Sequence, residues 1–78
     1  MFIDNADLTD SFDLLPLKSL LEGLKSNDEQ IRLRVVKALG FLRNEDAVTT
    51  LCTTLKTDKS AEVRWAAAEA LDLIYDLI

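Results

Sequence analysis

Apolar and polar residues alternate along this chain with a helical period almost throughout, and the pattern predicts four helices. Leu17, Leu20, Leu21 and Leu24 recur at i, i+3, i+4 and i+7, which places them on one stripe of a helix over about 15–25. Pro16 suits its first turn, where a backbone N–H has no partner to lose. Ser26-Asn27-Asp28 then breaks the pattern, because these short polar side chains compete for backbone hydrogen bonds. A second helix over about 29–43 carries Ile31, Val35, Ala38, Leu39 and Leu42 on its stripe, with Val36 on one flank. A third, over about 45–56, carries Ala47, Val48, Leu51 and Leu55. Its threonines (Thr49, Thr50, Thr53 and Thr54) lower intrinsic propensity, so packing must hold it. A fourth starts near Ala61 and carries Val63, Ala67, Ala70, Leu71, Ile74 and Ile78. Strand signals are absent, and the predicted class is all-α.

The four helices are two copies of one pair. Written over the fourth helix at an offset of 32, the second aligns Ile31 with Val63, Arg32 with Arg64, and Leu33 with Trp65. Ala38-Leu39 aligns with Ala70-Leu71, and Leu42 with Ile74. The first and third helices align at 31: Leu17 with Val48, Leu20 with Leu51, Leu24-Lys25 with Leu55-Lys56. A helix pair cannot bury its own faces, and stacking of copies builds the shared core. The predicted organisation is an acidic arm or capping helix over 1–14, followed by one domain over 15–78 built from repeats 15–43 and 45–78. As a cap the arm would lay Leu8 and Phe12 over the first repeat, and the competing reading is an acidic tail that orders on a partner.

These residues resemble HEAT repeats, in particular the short HEAT-like repeats named after phycobilisome lyases. The first copy reads Asp28, Ile31-Arg32, Val35-Val36, Ala38-Leu39-Gly40, Leu42, then Asn44 to Val48. The second reads Asp58, Val63-Arg64, Ala67-Ala68, Ala70-Leu71 and Ile74. Asp72 stands where a glycine is usual, which predicts that the last helix runs on past it. The resemblance implies an α-α superhelix, a short right-handed solenoid whose second helices line the concave face. It implies that Asp28, Arg32, Asp58 and Arg64 form a structural ladder between repeats. It also implies binding rather than catalysis, although the family includes bilin lyase subunits and factors of phycobilisome turnover.

On the second helices, Leu33 and Trp65 fall about 200° around from Ile31 and Val63. Lys37 and Glu69 fall at about 240°, Phe41 and Leu73 at about 280°. These six residues lie off the core stripe and are the candidate partner-binding row, since contiguous apolar surface marks interfaces. Packing against a neighbouring helix is the competing reading for Trp65. Ala68, Leu71, Tyr75 and Ile78 are the candidate self-association surface, the face a further repeat would meet.

Composition narrows the chemistry. The chain has 78 residues, one cysteine and no histidine. A core this small buries only about 60–65% of the unfolded surface, so a partner or close regularity is needed. A single thiol cannot form an internal disulfide, which together with the lack of a signal-like start predicts a cytoplasmic setting. Without histidine, Cys52 has no activating base, and it aligns with Leu21 as a structural thiol on the edge of a stripe. No phosphate loop, metal cluster or catalytic triad pattern is present, so no enzymatic activity, cofactor or metal is expected. The net charge is −5, and four of the fourteen acids (Asp4, Asp7, Asp10 and Asp13) lie in the arm. Nucleic acid and anionic membranes are therefore disfavoured, and no apolar run reaches the ~18–20 residues of a membrane span. The expected partner is another protein, in a homo-oligomer or a hetero-complex. The alternatives are an accessory or chaperone-like factor related to bilin lyases or phycobilisome turnover, and a structural unit completing a larger solenoid.

Overall fold

The computed structural model describes residues 17–76. The chain order there is α1 (Leu17–Gly23), α2 (Glu29–Leu42), a 3-10 turn (Glu45–Ala47), α3 (Val48–Thr57) and α4 (Ala61–Tyr75). No strand occurs among the described residues. The arm, Pro16 and Ile78 lie outside them.

Local chemistry explains where the helices begin. Asp28 caps α2 by accepting a hydrogen bond from the Gln30 N–H, at 2.9 Å. Ser60 does the same for α4 through the Val63 N–H, at 3.3 Å. Asn44 accepts from the Asp46 N–H at 2.8 Å and opens the 3-10 turn, so the third helix begins as a tighter coil than periodicity predicts. The threonines of α3 turn their hydroxyls back on the helix. Thr53, Thr54 and Thr57 donate to the carbonyls of Thr49, Thr50 and Thr53, at 3.2, 3.0 and 2.7 Å. That satisfies the buried Thr54 hydroxyl and leaves Leu51 to anchor the helix in the core.

Helix α2 ends at Arg43, which adopts the left-handed conformation at φ 53° and ψ 41° and donates its N–H to the Gly40 carbonyl. A side chain in that region costs about 1 kcal/mol or more, and glycine escapes that cost. Arg43→Gly is therefore expected to raise stability by about 1 kcal/mol, read as a higher urea midpoint at unchanged slope. An unchanged or lower midpoint would show that the Arg43 side chain offsets its own strain.

The core runs through all four helices. Leu20, Val35, Val36, Leu39, Leu51, Val63, Ala67 and Ile74 are essentially inaccessible. Helix α2 packs against α1 and α4, and α4 packs against α2 and α3, so the two pairs share one core. Several sequence expectations shift here. Helix α1 stops at Gly23, with Leu24 and Lys25 in the following turn. Val36 is fully buried rather than on a flank, because α2 is covered from two sides. Leu42 and Leu55 are exposed, since each lies near the end of its helix with fewer neighbouring turns beside it. Leu71 is buried rather than presented to a further unit, and it occupies in α4 the place that Leu39 has in α2. Helix α4 does continue past Asp72, to Tyr75.

A groove between the second helices and a rung between the repeats

Helices α2 and α4 are the second helices of the two pairs, and small residues bring them together. A Cβ placed on Gly40 would lie 2.8 Å from both the Cα and the Cβ of Ala70. Two adjoining grooves of about 420 and 280 Å³ lie along these two helices, the smaller lined by Gly40 and Ala70 themselves. They share Lys37, Ala66 and Glu69. Leu33 and Trp65 line the first, and Phe41 and Leu73 the second. All six residues of the predicted row thus lie along one surface feature. Phe41 is 71% exposed, Trp65 69% and Leu73 37%, whereas Leu33 packs partly against the core. Lys37 and Glu69 stand at the waist where the grooves meet, Lys37 exposed. Ala66, on the floor of both grooves, carries no signal in the periodicity.

A charged rung ties the repeats at another edge. Arg32 donates from Nε to Asp58 Oδ2 at 3.0 Å and from Nη2 to Asp58 Oδ1 at 3.2 Å. Its Nη1 donates to the Ser26 carbonyl at 3.0 Å. Both side chains are nearly inaccessible, at 5% and 9% exposure. Burial pushes the Asp58 carboxyl upward, but the Arg32 hydrogen bond, the Ser60 N–H and the Arg32 and Lys59 charges outweigh it. The net effect holds Asp58 below the usual carboxylate range.

Arg64 repeats half of this arrangement. Its Nη1 donates to the Asp58 carbonyl at 2.6 Å, as Arg32 does to Ser26, six residues upstream in both cases. The turn before it is repeated as well. The Ser60 N–H donates to Asp58 Oδ1 at 2.9 Å, and the Asp28 N–H donates to Ser26 Oγ at 3.0 Å. Ser26 is therefore the counterpart of Asp58, and Asp28 the counterpart of the cap Ser60. This corrects the ladder expected from the sequence: Asp28 is a helix cap and takes no part in a rung. The 32-residue offset that matches Arg32 with Arg64 already places Ser26 on Asp58, and it is the signal in the sequence that locates the rung.

The remaining candidates fall apart. Tyr75 is 53% exposed and Ala68 half-buried, while Leu71 belongs to the core. Cys52 is half-buried against the core. No described helix is long and apolar enough to cross a membrane.

Comparison with known proteins agrees with the repeat. The family model for HEAT repeats matches residues 17–76. The bilin biosynthesis protein MpeU of Synechococcus sp. (strain WH8020) is 36% identical over 62 residues, which cover 80% of this chain and 20% of that protein. The chain thus spans about a fifth of the length of this curated relative. No solved structure matches the chain.

Proposed function

This chain belongs to the HEAT-repeat family, and we propose that it works as a non-enzymatic protein-binding module that receives its partner in the groove between α2 and α4. The observation that carries this reading is the exposure of Trp65 and Phe41 along the two adjoining grooves. Two large aromatic side chains left in water cost stability unless a partner covers them, and aromatic anchors in pockets supply most of the energy of typical interfaces. Lys37 and Glu69 give the waist one charge of each sign, which would fix a partner's direction rather than its affinity. The lone thiol supports a cytoplasmic setting.

The test is quantitative affinity capture with the intact chain and with Trp65→Ala. Trp65 is exposed, so the variant should keep its helical signal and its stability within about 0.5 kcal/mol. Binding of the captured protein should weaken about 30-fold or more, which corresponds to about 2 kcal/mol. An early-melting variant with no separate binding defect would place Trp65 in the fold instead.

The likeness to MpeU favours a second reading, an accessory role in bilin biosynthesis. A shift of visible absorbance when the chain is mixed with a bilin is the expected sign. An unchanged spectrum at equimolar concentration refutes direct pigment contact.

A further inference from the structure

We propose that the first groove receives a cationic side chain, an arginine of the partner laid on the Trp65 indole between Glu62 and Glu69. The proposal rests on the reading of the groove as a protein-binding site and names what the partner presents there. Glu62 precedes Trp65 by three residues on α4 and Glu69 follows it by four, so both are its neighbours on the helix surface. All three are exposed, and all three line the groove of about 420 Å³. The face of an indole attracts cations, and a carboxylate on either side strengthens that attraction. Arginine fits best, because a planar guanidinium can stack on the ring and still turn its N–H edge to a carboxylate.

The chain itself does not use these groups. Among the described residues neither carboxylate is in an ion pair and no cation stacks on Trp65. Arg64, next to Trp65 in the sequence, is held on the Asp58 carbonyl at 2.6 Å and lines neither groove. Lys37 is the one base that lines these grooves, and it stands at the waist on the opposite helix. The potential therefore becomes more negative from the waist toward Glu62. A helix dipole favours an acid in the first turn and so accounts for Glu62. Glu69 lies more than two turns into α4, beyond that effect, and it is the residue that singles out cation binding.

The second groove completes the motif. Apart from Lys37 and Glu69 at the waist its lining is apolar, with Phe41 and Leu73 over a floor of Gly40 and Ala70. On α4 the two grooves centre near Trp65 and Ala70, five residues apart, which is about 7.5 Å along the helix. Alternate side chains of an extended segment are spaced by about 6.6–6.8 Å. An extended segment with an arginine and a large apolar residue two positions apart therefore fills both grooves.

Trp65 is the sole tryptophan of the chain, so its fluorescence reports directly on occupancy of this site. The probes are the capped tripeptides Arg-Ala-Leu and Leu-Ala-Arg, which cover both chain directions, each paired with a copy carrying citrulline, the neutral isostere of arginine. At least one arginine peptide should saturate the Trp65 signal in the millimolar range, about tenfold tighter than its citrulline copy. Glu62→Gln with Glu69→Gln should remove most of that preference, and added salt should weaken it. Lys37→Gln should tighten the arginine peptide, because it removes a like charge from the waist. Glu62, Glu69 and Lys37 are exposed, and an unchanged helical signal separates these effects from unfolding. Three results would overturn the proposal: no Trp65 response to either arginine peptide at millimolar concentration, citrulline copies that bind as tightly, or a preference untouched by the two glutamate substitutions. Equal binding of arginine and citrulline peptides leaves the groove a protein-binding site without charge preference. Failure of that broader reading shows separately, as a captured protein indifferent to Trp65→Ala.

Discussion

Replacing Gly40 by alanine is expected to destabilise the protein by about 1–3 kcal/mol, the usual cost of forcing a methyl into a packed contact. In an open helix the same change would stabilise by about 1 kcal/mol, because alanine is the better helix former. The sign reverses here because the added Cβ meets the Cα and Cβ of Ala70 at 2.8 Å. Backbone cannot step aside as a side-chain tip does, so α2 and α4 must separate. Separation also opens the groove floor at Ala66 and Ala70, which couples this residue to the proposed binding surface. Gly23 is the control. A Cβ there would meet a methyl of Val35 at 2.8 Å, but the next nearest Val35 atoms lie at 3.9 and 4.0 Å. Gly23→Ala should therefore cost clearly less than Gly40→Ala. Urea unfolding of both variants decides the matter, and a Gly40→Ala midpoint at or above that of the unmodified chain would refute the close approach.

Much of this arrangement is legible in the sequence, and the limits have physical causes. The 3.6-residue period locates the helices because each buries one broad stripe, and the 32-residue offset locates the repeat because both pairs obey the same packing. Periodicity assumes burial from one side. Helix α2 is covered by α1 and α4 together, so its buried arc widens to include Val36 and Gly40. A hydropathy pattern reads Gly40 as neutral, although it sets the distance between the second helices. End effects escape the pattern too, as the exposure of Leu42 and Leu55 shows. The six residues of the row lie together because they share an angular position on equivalent helices, which is a property of the repeat. Matching acids by type misplaces the rung at one position, because it takes Asp28 for the counterpart of Asp58. The hydrogen bonds assign by position, and position gives Ser26.

That rung carries the other large effect. Asp58→Asn is expected to cost about 3–5 kcal/mol at neutral pH, the range for breaking a buried ion pair by removing one partner. The asparagine keeps an oxygen for the Ser60 N–H, so the turn survives and the loss isolates the charge. What remains is a guanidinium 5% exposed, with its Nε–Nη2 edge facing an amide that has a single acceptor atom. Arg32→Met should cost less, because the Asp58 carboxylate it strands still accepts from the Ser60 N–H and lies at the turn. The same pair predicts a pH dependence. Asp58 is held below the usual carboxylate range in the fold, so the folded state binds the proton less readily than the unfolded chain. Its contribution is then fully present above the unfolded value of about 4, and is lost as pH falls through the lower folded value. Unfolding midpoints for the unmodified chain and for Asp58→Asn should stand furthest apart at about pH 5–7 and converge in acid below about pH 4. Midpoints separated by a constant amount across that range would show that the rung is held by shape and hydrogen bonding, with the Asp58 charge contributing nothing to the join between the repeats.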